Sequence, residues 1–242
     1  AVPSDTVSAV IDQFKEYGET RRGWLGVKVQ TVTEEIAETL NVPENRGALI
    51  SAVTPDSPAS KGGLEAGDVI MVFDGKDVTT MRCLPKIVAQ APIGKTVDVE
   101  VLRKGEKKDL KVTVGLLEDE TFDDTGAAKP GASGAPDANE APSVTSVIGL
   151  KLAPLTDDIR AKYGLSDAMK GVVVEEVDPQ SPAAEKGVKT GDVIVEAGQD
   201  AVATPGDVAK SVDKVKKAGR KAILLRVEDG KGDLRFVAVP VS

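Results

Sequence analysis

Residues 47–78, GALISAVTPDSPASKGGLEAGDVIMVFDGKDV, align without a gap to residues 171–202, GVVVEEVDPQSPAAEKGVKTGDVIVEAGQDAV. The offset is a constant 124, and 12 of the 32 positions are identical. A match of this length means two copies of one folding unit. The 242-residue chain gives each copy roughly 100 residues, enough for a domain to bury its own core, whereas a solenoid needs at least about three shorter repeats. The composition is 40% apolar and 29% charged, as expected of a globular chain. Aromatics are only 3%, so the cores are aliphatic, and platforms for stacking single-stranded nucleic acid are not expected. A formal charge of −8 argues against nucleic acid and anionic membranes as main partners.

The repeat unit reads as mainly β with short helices (α+β). The runs ALISAV and VVVEEV are β-branched strands. Ser57-Pro58-Ala59 and Ser181-Pro182-Ala183 each place a Ser N-cap before a Pro at the first helical position. Gly63 and Gly187 suit the left-handed residue that ends a short helix. Gly67-Asp68 and Gly191-Asp192 turn into the strands 69–73 and 193–197. A longer helix follows in each copy. In the second it is capped by Thr204, with Val208, Val212 and Val215 on one stripe; in the first, Leu84, Val88 and Ala91 recur at the same spacing. Pro85 conflicts with a helix capped at Thr80, because an internal proline costs about 3 kcal/mol unless the helix starts later or kinks. Strands over 96–103, 108–114, 222–227 and 234–241 close the two copies.

Four segments result. Residues 1–22 carry a helix whose apolar face (Val7, Val10, Ile11, Phe14) is expected to pack on a domain outside this sequence. Residues 23–117 form the first repeated domain and 144–242 the second. Residues 118–143 hold seven acidic residues, one basic residue and Phe122 as the one large apolar side chain. They read as a flexible acidic linker, and the two domains are expected to tumble semi-independently.

The chain has no His and one cysteine, Cys83. A Ser-His-Asp or Cys-His centre is therefore excluded within it, as is an internal disulfide, and no cofactor or metal site is expected. Cys83 reads as an inert, partly buried thiol. The first residue is Ala1 rather than Met, so the chain reads as a mature product or an excised piece. Ahead of each copy's first strand lies a turn of the form apolar-Gly-apolar: Trp24-Leu25-Gly26-Val27 and Ile148-Gly149-Leu150. Such a turn leaves successive N–H groups convergent, a nest suited to a carboxylate. The strand edge beside it can accept an extended peptide, with the long helix as the opposite wall.

This combination resembles PDZ domains in their bacterial, circularly permuted order. The run 1–27, AVPSDTVSAVIDQFKEYGETRRGWLGV, resembles the junction between the protease domain and first PDZ domain of the HtrA/Deg serine endoproteases. The resemblance implies two PDZ-like β-sandwich domains from a periplasmic serine endoprotease and chaperone of misfolded envelope proteins. The parent would be a trimer-based homo-oligomer, with its catalytic domain upstream and no catalytic residue in this chain. It implies a first groove in which the N–H groups of Leu25, Gly26 and Val27 hold a peptide's C-terminal carboxylate. Trp24 begins that loop, Val27 and Val29 face the last side chain, and Leu84, Ile87, Val88 and Ala91 supply the helix wall, Ile87 foremost. The second loop, Ile148, Gly149 and Leu150, follows the linker and has no arginine before it, so that groove is expected to bind weakly or to serve subunit contacts. The alternative is a PDZ assembly or scaffold module without peptide-dependent proteolysis.

Overall fold

A computed structural model describes residues 22–42, 46–116, 145–166 and 169–241. The expected helix over 1–22 and the acidic linker lie outside these residues, apart from Arg22. The first domain runs β1 (Gly23–Trp24), β2 (Val27–Thr31), α1 (Glu34–Leu40), β3 (Ala48–Val53), α2 (Pro58–Lys61), β4 (Val69–Phe73), β5 (Lys76–Asp77), α3 (Cys83–Gln90), β6 (Thr96–Arg103), β7 (Glu106–Thr113) and β8 (Gly115–Leu116). The second runs β9 (Thr145–Val147), β10 (Leu150–Pro154), α4 (Asp157–Tyr163), β11 (Val172–Val177), α5 (Pro182–Glu185), β12 (Val193–Ala197), β13 (Asp200–Ala201), α6 (Pro205–Lys217), β14 (Ala222–Glu228) and β15 (Leu234–Pro240).

Each domain is built on one antiparallel sheet. The orders are β2-β3-β4-β6-β7, with β5 on β4, and β15-β14-β12-β11-β10-β9, with β13 on β12; β1 pairs separately with β8. Ile50, Ile70, Phe73, Leu84 and Val99 belong to the first core, and Leu150, Val174, Ile194, Val208 and Ile223 to the second. The local signals act as read. The hydroxyls of Ser57 and Ser181 cap α2 and α5, each accepting a backbone N–H at 3.2 Å. Gly63 and Gly187 follow with φ of 78° and 81°, a conformation that favours glycine. The Pro85 conflict disappears because α3 starts at Cys83 rather than near Thr80. Pro85 then lies in the first turn, where its missing N–H has no helical partner to lose.

The two domains are packed together. The short helix α1 lies against β14 and β15, and β3 lies against β15. Ile36, Ala37, Leu40 and Leu49 share one buried cluster with Leu224, Phe236 and Ala238 of the second domain. Polar contacts surround it: Lys186 Nζ to Glu35 Oε1 at 2.6 Å, and Lys28 Nζ to Asp233 Oδ1 at 2.9 Å. This arrangement differs from the expected semi-independent tumbling. The reason lies in β14 and β15, which bury both faces: Ile223, Leu225, Val237 and Val239 inward, and Leu224, Phe236 and Ala238 toward α1.

Candidate peptide-binding grooves

The turn between β1 and β2 is held from behind. The carbonyl of Leu25 accepts the Ala59 N–H at 2.9 Å and that of Gly26 accepts the Thr54 N–H at 2.8 Å. Gly26 has φ of 76°, and a Cβ there would sit 2.3 Å from the Ser57 Cβ, so glycine is required by both conformation and space. Leu25 is buried in the first core, with Val27 and Val29 packed partly buried against it. The Leu25 carbonyl thus points at α2 and the Gly26 carbonyl at the end of β3, which leaves the N–H groups of Gly26 and Val27, on the opposite sides of those two peptide planes, facing away from these anchors.

The orientation of β2 follows from its bonds. Val27 faces Val53 while Thr54 N–H bonds to Gly26, so Val27 and Val53 form a non-hydrogen-bonded pair. Val29 faces Ile50, whose own N–H and C=O are both used by the turn entering β4, through Asp68 and Gly67. The N–H and C=O of Val27 and Val29 therefore point away from β3. Among the described residues no strand pairs with that edge of β2.

The helix wall divides. Leu84 and Val88 are buried core residues, whereas Ile87 and Ala91 are partly buried at the margin of the same cluster. Gly23 brings β1 onto the end of α3, where a Cβ would lie 2.2 Å from the Val88 carbonyl oxygen. Trp24 is half-buried in β1 and Arg22 is exposed. Sequence reasoning missed the anchors Thr54, Ser57 and Ala59 as parts of this site; the S-P-A cap was the available signal. Cys83 is the first residue of α3. The hydroxyls of Thr79 and Thr80, 3.5 and 3.3 Å from its sulfur, hold the thiol below its ordinary pKa. Among the described residues no cluster of His, Cys, Asp or Glu is arranged to hold a metal.

The second loop is built differently. Gly149 repeats the geometry of Gly26, with φ of 75° and a hypothetical Cβ 2.2 Å from the Ser181 Cβ. Its carbonyl likewise accepts the Asp178 N–H at 2.9 Å. Ile148, however, also has positive φ, 48°. Ile148 and Gly149 thus form the two central residues of a tight hairpin turn between β9 and β10. Leu150, the third residue of the expected nest, is paired with Val147.

Two sheets of this topology, each with a short helix after the S-P-A cap and a long helix beside a glycine turn, define a class. The PDZ domain family matches residues 23–114 and 146–232, and the chain belongs to it. Over its full length the chain is also homologous to bacterial proteins named probable periplasmic serine endoprotease DegP-like. Identity is 36% over 243 residues to that of Brucella suis biovar 1 (strain 1330), covering 100% of this chain and 44% of the relative. It is 35% over 217 residues to that of Halomonas elongata, covering 89% and 42%. The chain thus spans less than half the length of these curated relatives. Among solved structures, the HtrA-type protease AlgW with decapeptide is 37% identical, with a TM-score of 0.44 over 50% of this chain and 37% of that one.

Proposed function

We propose that this chain is the peptide-binding tandem of an HtrA/Deg-type serine protease, whose first groove takes the C-termini of unfolded or misfolded envelope proteins. The observation that carries this reading is the edge of β2. Val27 and Val29 present their backbone groups outward beside a turn whose carbonyls are pinned inward, which suits an extended peptide ending in a carboxylate. Ile87 and Ala91 are the helix residues exposed enough to meet its last side chain. The homology to DegP-like endoproteases supports a parent with an upstream catalytic domain, a periplasmic location and a trimer-based homo-oligomer. The chain itself, without histidine, supplies recognition rather than bond cleavage. A second reading, an assembly module, draws on the packing between the two domains.

Titration of the chain with one peptide as free acid and as C-terminal amide, followed by NMR, tests the first reading. The free acid is expected to move the amides of Leu25 to Val29 and to bind more tightly than the amide. Equal affinity of the two forms would remove the carboxylate role and favour assembly.

A further inference from the structure

In the second domain the edge corresponding to β2 is already paired. The same bonding logic orients β10: Leu150 faces Val177 while Asp178 N–H bonds to Gly149. Likewise Leu152 faces Val174, whose N–H and C=O are used by Asp192 and Gly191. The backbone groups of Leu150 and Leu152 therefore point away from β11, as those of Val27 and Val29 point away from β3. They meet β9, with Val147 opposite Leu150 and Thr145 opposite Leu152. On its other side β9 packs on α6, the helix wall. It runs antiparallel to β10 with its C-terminal end at the glycine turn, and Val147 packs against the core there. In the first domain the corresponding residues, Gly23 and Trp24, leave the groove strand and pair with β8 instead.

We infer that the second groove is closed in cis by the chain's own segment Thr145–Val147, which occupies it as a bound peptide would, with Val147 in place of the last side chain. This rests on the proposed use of the first groove as a peptide site. The second site is then a gated one. It opens when β9 leaves, and it selects extended peptides that end in a small branched apolar residue, because that is what the groove now holds. A cavity of about 550 Å3 stays open beside the turn, between Ile148, Ser181 and Val212, and gives an incoming peptide a place to start displacing β9. A ligand that must first expel β9 has its apparent affinity lowered by the fraction of time the groove is open.

The test uses the full 242-residue chain and the heptapeptide Ala-Pro-Ser-Val-Thr-Ser-Val, the sequence of residues 141–147, as free acid. Hydrogen exchange comes first. Without peptide, the Leu150 and Leu152 amides are expected to be protected while those of Val27 and Val29 exchange freely. Val147→Pro removes the N–H that faces Leu150 and Val147→Gly removes the plug, so one variant remains if the other misfolds. Either is expected to abolish the protection and to raise heptapeptide affinity at the second-domain amides at least about tenfold, with the first groove unchanged. Unprotected Leu150 and Leu152 in the wild-type chain would overturn the inference. So would equal second-groove affinity, or none, in the wild type and in a folded variant. Failure of the peptide at the first groove alone would instead count against the proposed function, since the exchange pattern does not depend on it.

Discussion

The side-chain amide of Gln30 pairs with both backbone polar groups of Phe236. Gln30 Nε2 donates to the Phe236 carbonyl at 3.0 Å, and the Phe236 N–H donates to Gln30 Oε1 at 2.8 Å. Gln30 thus acts as a one-residue strand on the free edge of β15, where unpaired backbone groups would otherwise invite another chain. It also ties β2, the strand of the first groove, to the second domain. The strand carries peptide recognition on its edge and domain docking through its side chains.

Docking is therefore expected to fail from either side of this contact. Gln30→Ala removes two hydrogen bonds, each worth about 1 kcal/mol net. Ile36→Asp places a charge in the cluster formed with Leu224 and Phe236 and is expected to separate the domains outright, because an unpaired buried charge is not tolerated. NMR relaxation checks both. The wild type should show one rotational correlation time for the two domains and Ile36→Asp two, with Gln30→Ala between. A single value in all three would mean that this cluster does not hold the domains together.

Acid should loosen the same interface. The hydrogen bond from Lys186, helped by bonds from the Glu35 N–H and the Thr33 hydroxyl within the first domain, holds the Glu35 carboxyl well below its ordinary value, down to about 2, and the Lys186 part of that depression is the one made on docking. A group depressed on docking contributes fully above its free pKa, near 4.5, and loses that contribution as pH falls through its docked value. Docking is thus expected to weaken between pH 4.5 and 2. The effect is below about 1 kcal/mol, because both side chains are substantially exposed. Glu35→Gln should flatten this dependence in scattering measurements of domain separation. Asp192 and Glu228 have the opposite sign. Burial pushes both up, so their effect on the second domain's folding is more favourable at low pH and is lost as pH rises through their folded values.

The Gly-Asp turns make a paired stability prediction. Asp68 is fully buried, and Arg103 grips it with Nε at 2.7 Å and Nη2 at 2.8 Å, while the Glu65 N–H adds a third bond at 2.9 Å. Asp192 receives one arginine contact, from Arg235 on β15 at 2.8 Å. Arg103→Leu should cost the first domain about 3–5 kcal/mol by stranding a buried carboxylate. Arg235→Leu should cost the second domain less, since Arg235 makes one contact to Asp192 where Arg103 makes two to the more deeply buried Asp68. Urea titration of each variant measures the two losses; a larger loss for Arg235→Leu would contradict this ranking.

Most of the sheet could be read before folding, because each strand's signal is local. β3, β4, β6, β11 and β12 have the bounds expected from their apolar runs and flanking turns. The helices α1 and α4 were not anticipated. Each has seven residues, too few to be stable alone, and Ile36, Ala37 and Leu40 become a face only when Leu224 and Phe236 cover them. A clue existed in the unbroken runs AILL at 222–225 and FVAV at 236–239, which alternation with one wet face does not produce. The glycine turns were visible as a repeated pattern. The state of the grooves was not, because nothing in the short run Thr-Ser-Val of β9 marks it as a groove-filling strand until the outward groups of Leu150 and Leu152 pair with it.

Gly26 offers the sharpest test of the first groove. Its carbonyl is fixed by Thr54, its φ is 76°, and a Cβ would meet Ser57 at 2.3 Å. Gly26→Val therefore strains the backbone and pushes the turn off the cap of α2, moving the N–H groups that would receive a carboxylate. The expected loss of affinity is at least about 2 kcal/mol, the penalty for a desolvated carboxylate without good donors. Some loss of folding stability should accompany it, so circular dichroism and the intact second domain serve as controls. Ile87→Ser acts on the wall instead. It should leave preference for free acid over amide intact and shift preference among last side chains away from large apolar ones. Ordering an extended peptide opposes the contacts it makes, so calorimetry must reach weak dissociation constants, on the order of micromolar. Wild-type affinity in a folded Gly26→Val chain would place the carboxylate site outside this turn. Loss of free-acid preference in Ile87→Ser would place part of it on α3.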